Sequence, residues 1–431
     1  MPAMRDLSSS SEVLSDAAAG DSGGFFRNRM LGALATLRDC ELTVIEPAGA
    51  SRVFGSAGAE DTLRCTITVN DPQTYRAMAL NGSVGAAEAY MDGWWECSDL
   101  TTLIRIFVRN RDLLDRMESG LARLGGALMR AWHARRRNSR DGSKRNIAEH
   151  YDLGNDLFSL FLDDTMMYSS AIFRSADESL EIASARKLDR ICRKLALTPA
   201  DHLVEIGTGW GGMAIHAARH FGCRVTTTTI SKEQHALATE RVARAGLDDR
   251  VSVVLEDYRD LAGSYDKLVS IEMIEAIGYQ FLDTYFGKCS SLLKPGGMAL
   301  IQAITIEDHR YQRALRNVDF IQRFIFPGSF IPSIAAMTAA MATSTDLKLF
   351  HLEDIGPSYA ATLRQWRQRF DAQLDRVRAL GYPERFIRMW HFYLAYCEGG
   401  FTERAIGDVQ MLLAKSGARP RQFLPDLDPA F

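Results

Sequence analysis

Residues 203–215, LVEIGTGWGGMAI, join an apolar strand to a helix through glycines at Gly207, Gly209 and Gly211. Glycines at such a turn let the backbone approach a ligand closely, and the helix that follows presents unpaired N–H groups to it. The flanking sequence keeps the same rhythm. Its spacing predicts helices over 184–197, 213–220, 232–245 and 282–293, and strands over 202–206, 224–229, 251–255, 267–271 and 298–303. Strands alternating with helices call for a parallel sheet covered on both faces, so this part of the chain reads as doubly wound α/β.

The remainder reads differently. Residues 41–70 carry short alternating strands, exemplified by Leu42, Val44 and Ile45 and then Thr66–Val69, and 83–125 turns helical, which makes a small mixed α+β unit. The tail from Tyr359 to Lys415 reads as helical from Trp366, Phe370, Leu374, Val377, Phe392, Leu394 and Tyr396, and no internal repeat is present. A chain of 431 residues is about three times the ~150 of a typical domain, so two or three domains are expected.

Composition narrows the class. The 46% hydrophobic and 24% charged content is that of a globular chain, and a net charge of −3 advertises no nucleic acid. No apolar run approaches the ~18 residues of a membrane span, and MPAMRDLSSSSEVLSD lacks the apolar core of a secretory signal. Seven cysteines without CxxC spacing or clustered His argue against a disulfide framework and a zinc site, so a cytoplasmic location and no metal are expected. One local charge excess stands out. Residues 130–145, RAWHARRRNSRDGSKR, set Arg130, Arg135, Arg136, Arg137, Arg140, Lys144 and Arg145 against the single acid Asp141. Such a run is either a solvated linker or a patch drawn to anionic membrane, with Trp132 suited to the interface. The apolar spacing of Leu121, Leu124, Leu128 and Trp132 just before it suits packing inward or lying on lipid.

The glycine turn does not suit a dinucleotide. Gly209-Trp210-Gly211 breaks the required spacing, and the next strand ends TTTTISKEQ with no acid at its tip. Glu205 is placed to order the loop or face an amino group. At 255–258 the third strand ends in acids, where an adenine amino group is held and Tyr258 covers the ring. Together these features fit S-adenosylmethionine.

Six separated segments then resemble one family in order: YMDGWWE (90–96), HYDLGNDLFSLFLDDTMMYSSAIF (150–173), EIGTGWGG, TISKEQ, EDYRDL and FIFPGSFIPS. They are similar to the cyclopropane-fatty-acyl-phospholipid synthases and mycolic acid methyltransferases, over about Ser83 to Lys415. The resemblance implies a seven-stranded class I methyltransferase fold, S-adenosylmethionine as donor, and the double bond of an unsaturated phospholipid acyl chain as acceptor. It also implies a disordered tail (1–24), a lipid- and membrane-docking domain (25–129), the basic linker (130–145) and a methyltransferase domain with acyl-chain-covering helices (146–431). A homodimer is compatible with it.

Carried over position by position, the resemblance implies cofactor contacts from Tyr168, Ser169, Glu205, Gly207, Thr208, Gly209, Gly211, Thr229, Gln234, Asp257 and Tyr258. It implies catalytic places for Glu275, Tyr393 and Cys397. Because methylating an alkene needs no covalent enzyme intermediate, Cys397 reads equally as a packed thiol. Three family positions depart: a cysteine and two histidines that help hold a bicarbonate base are here Ser170, Ala276 and Gln302, while a small residue is here Glu272. Glu272 resembles the glutamate of the hydroxymycolate-forming branch and is expected to replace bicarbonate, with repulsion from Glu275 raising one of the two pKa values. Loss of a proton from the new methyl group closes a cyclopropane; loss or shift elsewhere gives a methylene- or methyl-branched chain. A non-catalytic lipid-binding protein on the same scaffold is the alternative from another class.

Overall fold

The computed structural model describes residues 22–56, 58, 61–113 and 154–422, which divide into two units. The expected tail up to residue 21 and the basic run 130–145 lie outside the described residues.

The smaller unit holds helix α1 (Ser22–Leu34), strands β1 (Cys40–Ile45), β2 (Ser51–Phe54) and β3 (Leu63–Val69), helix α2 (Gln73–Met91) and strand β4 (Trp95–Cys97). The strands run in the order β2-β1-β3-β4, with only the β1/β3 pair parallel. Alternating apolar residues bury one face, Leu42 and Val44 on β1 beside Cys65, Ile67 and Val69 on β3. The expected helix over 83–125 is interrupted. Gly93 turns the chain at φ 76°, and Trp95 pairs with Val69 while its indole N–H donates to the Ala86 carbonyl at 2.9 Å. A non-local pairing of this kind leaves no periodic trace in three residues.

The larger unit opens with helix α3 (Leu100–Arg109), capped by Asp99, whose carboxylate accepts from the Thr102 N–H at 3.1 Å. It continues through helix α4 (Leu180–Lys194), β5 (His202–Ile206), α5 (Gly212–Phe221), β6 (Arg224–Thr229), α6 (Lys232–Arg244), β7 (Val251–Leu255), β8 (Tyr265–Ile271), α7 (Leu282–Ser291) and β9 (Leu293–Ile306). Helix α8 (Ile334–Ser344), β10 (Lys348–Asp354), α9 (Gly356–Ala372), α10 (Glu384–Thr402) and β11 (Ile406–Ala414) complete it. The seven strands run β10-β11-β9-β8-β5-β6-β7. Those from β9 to β7 are mutually parallel, while β11 lies antiparallel between β9 and β10.

The alternating half of the sequence therefore folds as read, and the tail does not. Residues 406–414, IGDVQMLLA, are strand β11 rather than helix. From Asp408 onward every residue of β11 is buried, so both faces are covered and the alternation that marks a strand is hidden.

One face of the sheet packs Leu188, Ile191, Met213 and Ala217 from α4 and α5 onto Val225, Val269, Leu300 and Leu412. The other packs Tyr285, Phe286 and Met337 from α7 and α8 onto Leu268, Ile301, Val409 and Met411. Strand β5 sits between β6 and β8, where the direction of winding reverses, and ligands of open α/β sheets bind beyond the carboxyl ends of the strands at that point. No described helix is long and apolar enough to cross a membrane.

Helix α10 comes close to α3 because Gly399 has no side chain: a Cβ there would lie 2.7 Å from Ile104 Cγ2 and 3.3 Å from the Thr101 carbonyl. Beside it the buried Glu398 accepts from Thr101 at 3.2 Å and from Arg364 and Arg367 at 3.0 Å each. Gly399→Val is expected to destabilise the fold by about 1–3 kcal/mol through overpacking, read as a lower urea midpoint with the slope unchanged.

Candidate active site

At the carboxyl end of β5 the glycine loop is tied down from below. The buried Glu205 accepts from Thr227 Oγ1 at 2.6 Å, Thr227 Oγ1 lies 2.6 Å from Thr208 Oγ1, and the Gly207 and Thr208 N–H groups donate to the Thr228 carbonyl at 3.1 and 2.9 Å. Burial pushes the Glu205 carboxyl up to about 8, against the pull of Thr227 and Lys187. Of the two roles expected for Glu205, the contacts here are those of ordering the loop. Gly207, Gly209 and Gly211 all have positive φ, and a Cβ at Gly209 would meet no protein atom within 4 Å. The loop thus has room beside Gly209, whereas a Cβ at Gly207 would meet Met273 at 3.3 Å and one at Gly211 would meet Ala238 at 3.4 Å.

The neighbouring strand ends frame that space. On β6, Thr229 Oγ1 donates to Gln234 Oε1 at 2.8 Å. Beyond β7, the Asp257 carboxylate is engaged by the Arg259 guanidinium at 2.8 and 2.6 Å, and the Tyr258 ring lies 5.7 Å from that of Tyr285. The Tyr258 hydroxyl is buried without a partner, and burial raises its pKa. A glycine loop at the carboxyl end of β5, with room beside Gly209 and a helix N-terminus after it, fits a polar nucleoside ligand such as S-adenosylmethionine.

Tyr168, Ser169 and Ser170 pass beside the loop. The Tyr168 hydroxyl meets that of Tyr393 from α10 at 2.9 Å, and its ring sits 5.1 Å from Phe158, 5.3 Å from Trp366 and 6.4 Å from Phe326. Ser169 Oγ accepts from Lys187 Nζ at 2.6 Å. Lys187 on α4 is fully buried; burial lowers its pKa to about 8 against the pull of Glu272, Asp163, Asp408 and Glu205. Lys187 falls on the buried stripe of its helix with Leu180, Ala183, Leu188 and Ile191, a spacing that marks a lysine facing inward, yet it was not among the expected residues.

Glu272 and Glu275 do not lie on one helix. Glu272 follows β8 with φ 47°, a conformation that favours glycine, and Glu275 sits in the single turn Ile274–Ala276. Three donors hold the Glu272 carboxylate: the Ser170 N–H and the Gln302 amide at 2.8 Å each on Oε1, and the Tyr359 hydroxyl at 2.6 Å on Oε2. Burial still leaves its pKa raised, with Tyr359, Lys187, Ser170 and Gln302 pulling the other way. Glu275 Oε1 accepts from the Ile304 N–H at 2.6 Å, while Oε2 is buried and unpartnered. Its pKa rises to about 8 through burial first and the Glu272 charge second, so the repulsion expected from the sequence is the smaller cause. Tyr359, on α9 and 87 positions from Glu272, was not among the expected residues. Only the returning helix brings it there.

Burial, with the Asp319 charge adding to it, holds the Cys397 thiol protonated, and a thiol in that state is a poor nucleophile. Tyr393 is likewise raised by burial and by Tyr168. The arrangement offers one oriented carboxylate, a ring of aromatic faces and an open cradle over the glycine loop. That combination can hold a ligand beside the loop and offers a half-buried carboxylate as a proton acceptor.

Comparison with known proteins shows the family to which the chain is related. The profile of the mycolic acid cyclopropane synthetase family matches residues 138–411. The chain is 39% identical over 371 residues to a tuberculostearic acid methyltransferase of Mycobacterium tuberculosis, covering 84% of this chain and 86% of that protein. It is 37% identical over 368 residues to the cyclopropane-fatty-acyl-phospholipid synthase of Escherichia coli, covering 84% and 90%. Among solved structures, a cyclopropane synthase from Mycobacterium tuberculosis superposes with a TM-score of 0.59 at 28% identity, over 63% of this chain and 98% of that one. A mycolic acid cyclopropane synthase complexed with SAH superposes equally, with a TM-score of 0.59 at 29% identity and the same coverage, 63% and 98%.

Gly209→Val places a branched side chain in the open space over the loop, on a backbone that disfavours it. Calorimetric titration with S-adenosylmethionine is expected to lose its binding signal in this variant, while the melting temperature without ligand falls by only a few degrees.

Proposed function

Because the chain belongs to the mycolic acid cyclopropane synthetase family and is an S-adenosylmethionine-dependent methyltransferase, we propose that it methylates the double bond of an unsaturated phospholipid acyl chain and closes a cyclopropane, with Glu272 as the base. The observation that carries this reading is the Glu272 carboxylate held by Ser170, Gln302 and Tyr359. Bound S-adenosylmethionine supplies a sulfonium-activated methyl group and leaves as its homocysteine product.

The rest falls to the protein. The alkene π pair forms the new C–C bond as the S–CH3 bond breaks, and positive charge appears on the adjacent carbon. Aromatic faces at Tyr168, Phe158 and Trp366 suit a cation there. Glu272 then takes a proton from the transferred methyl, and the freed C–H pair closes the ring. A carboxylate tied by three donors has a set position, which a diffusible anion would lack. If a hydride first moves onto the cationic carbon, the same proton loss gives a methylene branch instead. That second reading is favoured by the tuberculostearic acid methyltransferase among the relatives.

Glu272→Gln keeps the shape and removes the base, so turnover should fall on the order of 10²–10⁴-fold. The parent should be indifferent to removal of bicarbonate, and Glu272→Gly should be partly rescued by added formate. A parent that stops when bicarbonate is stripped out would refute the internal base. Ozonolysis of product lipids cleaves a methylene branch, and mass spectrometry separates the two survivors, because a saturated methyl branch carries two more hydrogens than a cyclopropane.

For the site of action, the basic run 130–145 is assigned to the anionic face of a membrane, with residues 25–129 as the lipid-docking domain. Neutralising Arg135, Arg136 and Arg137 should weaken flotation with anionic vesicles. Salt should do the same to the parent as the Debye length contracts from about 10 Å at 0.1 M to about 3 Å at 1 M. Salt-insensitive binding would return the run to the role of a linker.

A further inference from the structure

None of the Lys187 surface reaches solvent. Burying an ammonium costs free energy unless acceptors meet it. Among the described residues one does, Ser169 Oγ at 2.6 Å from Nζ. Burial lowers the lysine pKa only to about 8, so the ammonium is kept at neutral pH. The carboxyls that favour the charged form come from four parts of the chain: Glu272 after β8, Asp163 ahead of the Tyr168 segment, Asp408 on β11 and Glu205 on β5.

This contact fixes the polarity of the serine. An ammonium has three N–H bonds and no lone pair, so it donates and Ser169 Oγ accepts. The serine proton is then turned away from Lys187, and no described residue accepts it. The adjoining Ser170 differs, because its hydroxyl donates to the Ala171 carbonyl at 2.9 Å. A ligand at Ser169 therefore meets a donor with a positive charge behind it. S-adenosylmethionine carries one anionic group, its amino-acid carboxylate, and hydrogen bonds to an ionised acceptor are roughly twice as strong as neutral ones.

We propose that Lys187 is a positioning residue for the methyl donor: through Ser169 it directs a hydroxyl proton to the carboxylate of S-adenosylmethionine and so selects the intact amino-acid end of the cofactor. This rests on the expected contact between Ser169 and the cofactor; the Lys187–Ser169 bond itself does not.

The test is the ratio of two dissociation constants measured by calorimetry, for S-adenosylmethionine and for its decarboxylated form, which lacks only the carboxylate. Affinity is read rather than turnover because the ammonium also acts on Glu272. The parent should prefer the carboxylated ligand. Lys187→Met should reduce that preference by about ten- to hundredfold, the effect of losing a hydrogen bond that involves a charged group, and Ser169→Ala should reduce it by a similar factor. The double variant should be no worse than the worse single one, because the two residues act as a unit. An unchanged ratio in Lys187→Met, or additive losses in the double variant, overturns the inference. If Lys187→Met does not fold, isotope-labelled lysine NMR of the parent decides. Of Lys187 and Lys194, whose pKa values burial lowers, one alone should titrate at higher pH with S-adenosylmethionine bound than with the decarboxylated form. Equal titration of both in the two complexes overturns the inference. An unchanged ratio in Ser169→Ala would refute the cofactor contact at Ser169 as well, whereas a loss in Ser169→Ala with none in Lys187→Met refutes the role of Lys187 alone.

Discussion

The three-donor hold on the half-buried Glu272 carboxylate is the constraint around which the larger unit is arranged. Taking a carboxyl out of water favours its neutral form, and only hydrogen bonds and a nearby cation reverse this. Glu272 receives three donors from three parts of the chain, the Ser170 segment, β9 and α9, and lies within the influence of Lys187 on α4. Its positive φ is a local strain of the kind held in place by surrounding contacts at working sites. Remove those contacts and nothing in the chain would keep this side chain where it is.

The sheet explains how such distant segments converge. The winding reverses at β5, which leaves a crevice at the ends of β5, β6, β7 and β8 where the glycine loop, Thr229, Tyr258 and Glu272 meet. The antiparallel insertion of β11 then brings Asp408 and Gln410 alongside Gln302 from the far end of the sequence. The glycine loop and the Glu272 carboxylate therefore share one scaffold but draw on different strands. The loop is anchored by Glu205 through two threonine hydroxyls, and Glu272 through two amide groups and a tyrosine.

Several losses relative to the family pattern acquire a physical sense in this arrangement. Ser170 serves Glu272 through its backbone N–H, which any residue there would supply, and its hydroxyl donates instead to the Ala171 carbonyl at 2.9 Å. Gln302 supplies two donors in a set direction, which suits two fixed carboxyls. Cys397 is half-buried, and burial with the Asp319 charge raises its thiol pKa, in keeping with chemistry that needs no covalent enzyme intermediate.

The sequence by itself determined the α/β rhythm, the glycine turn and the position of Glu205 just before it, because periodicity and turn chemistry are local properties carried by neighbouring residues. Glu272 and Glu275 were picked out by resemblance to a family, and their conformation was not foreseen. Strands β5, β6 and β7 fall where the alternation puts them. Local pattern could not reveal β4, too short to show a period, or β11, whose two covered faces erase it. Nor could it identify Tyr359 and Asp408 as neighbours of the site, since each is ordinary for its own element; the apolar stripe marks Lys187 as inward-facing, but only the fold shows which groups it meets. Whether a carboxyl at position 272 is charged or neutral was likewise left to the tertiary structure, since that balance is struck by burial and by donors up to 102 positions away.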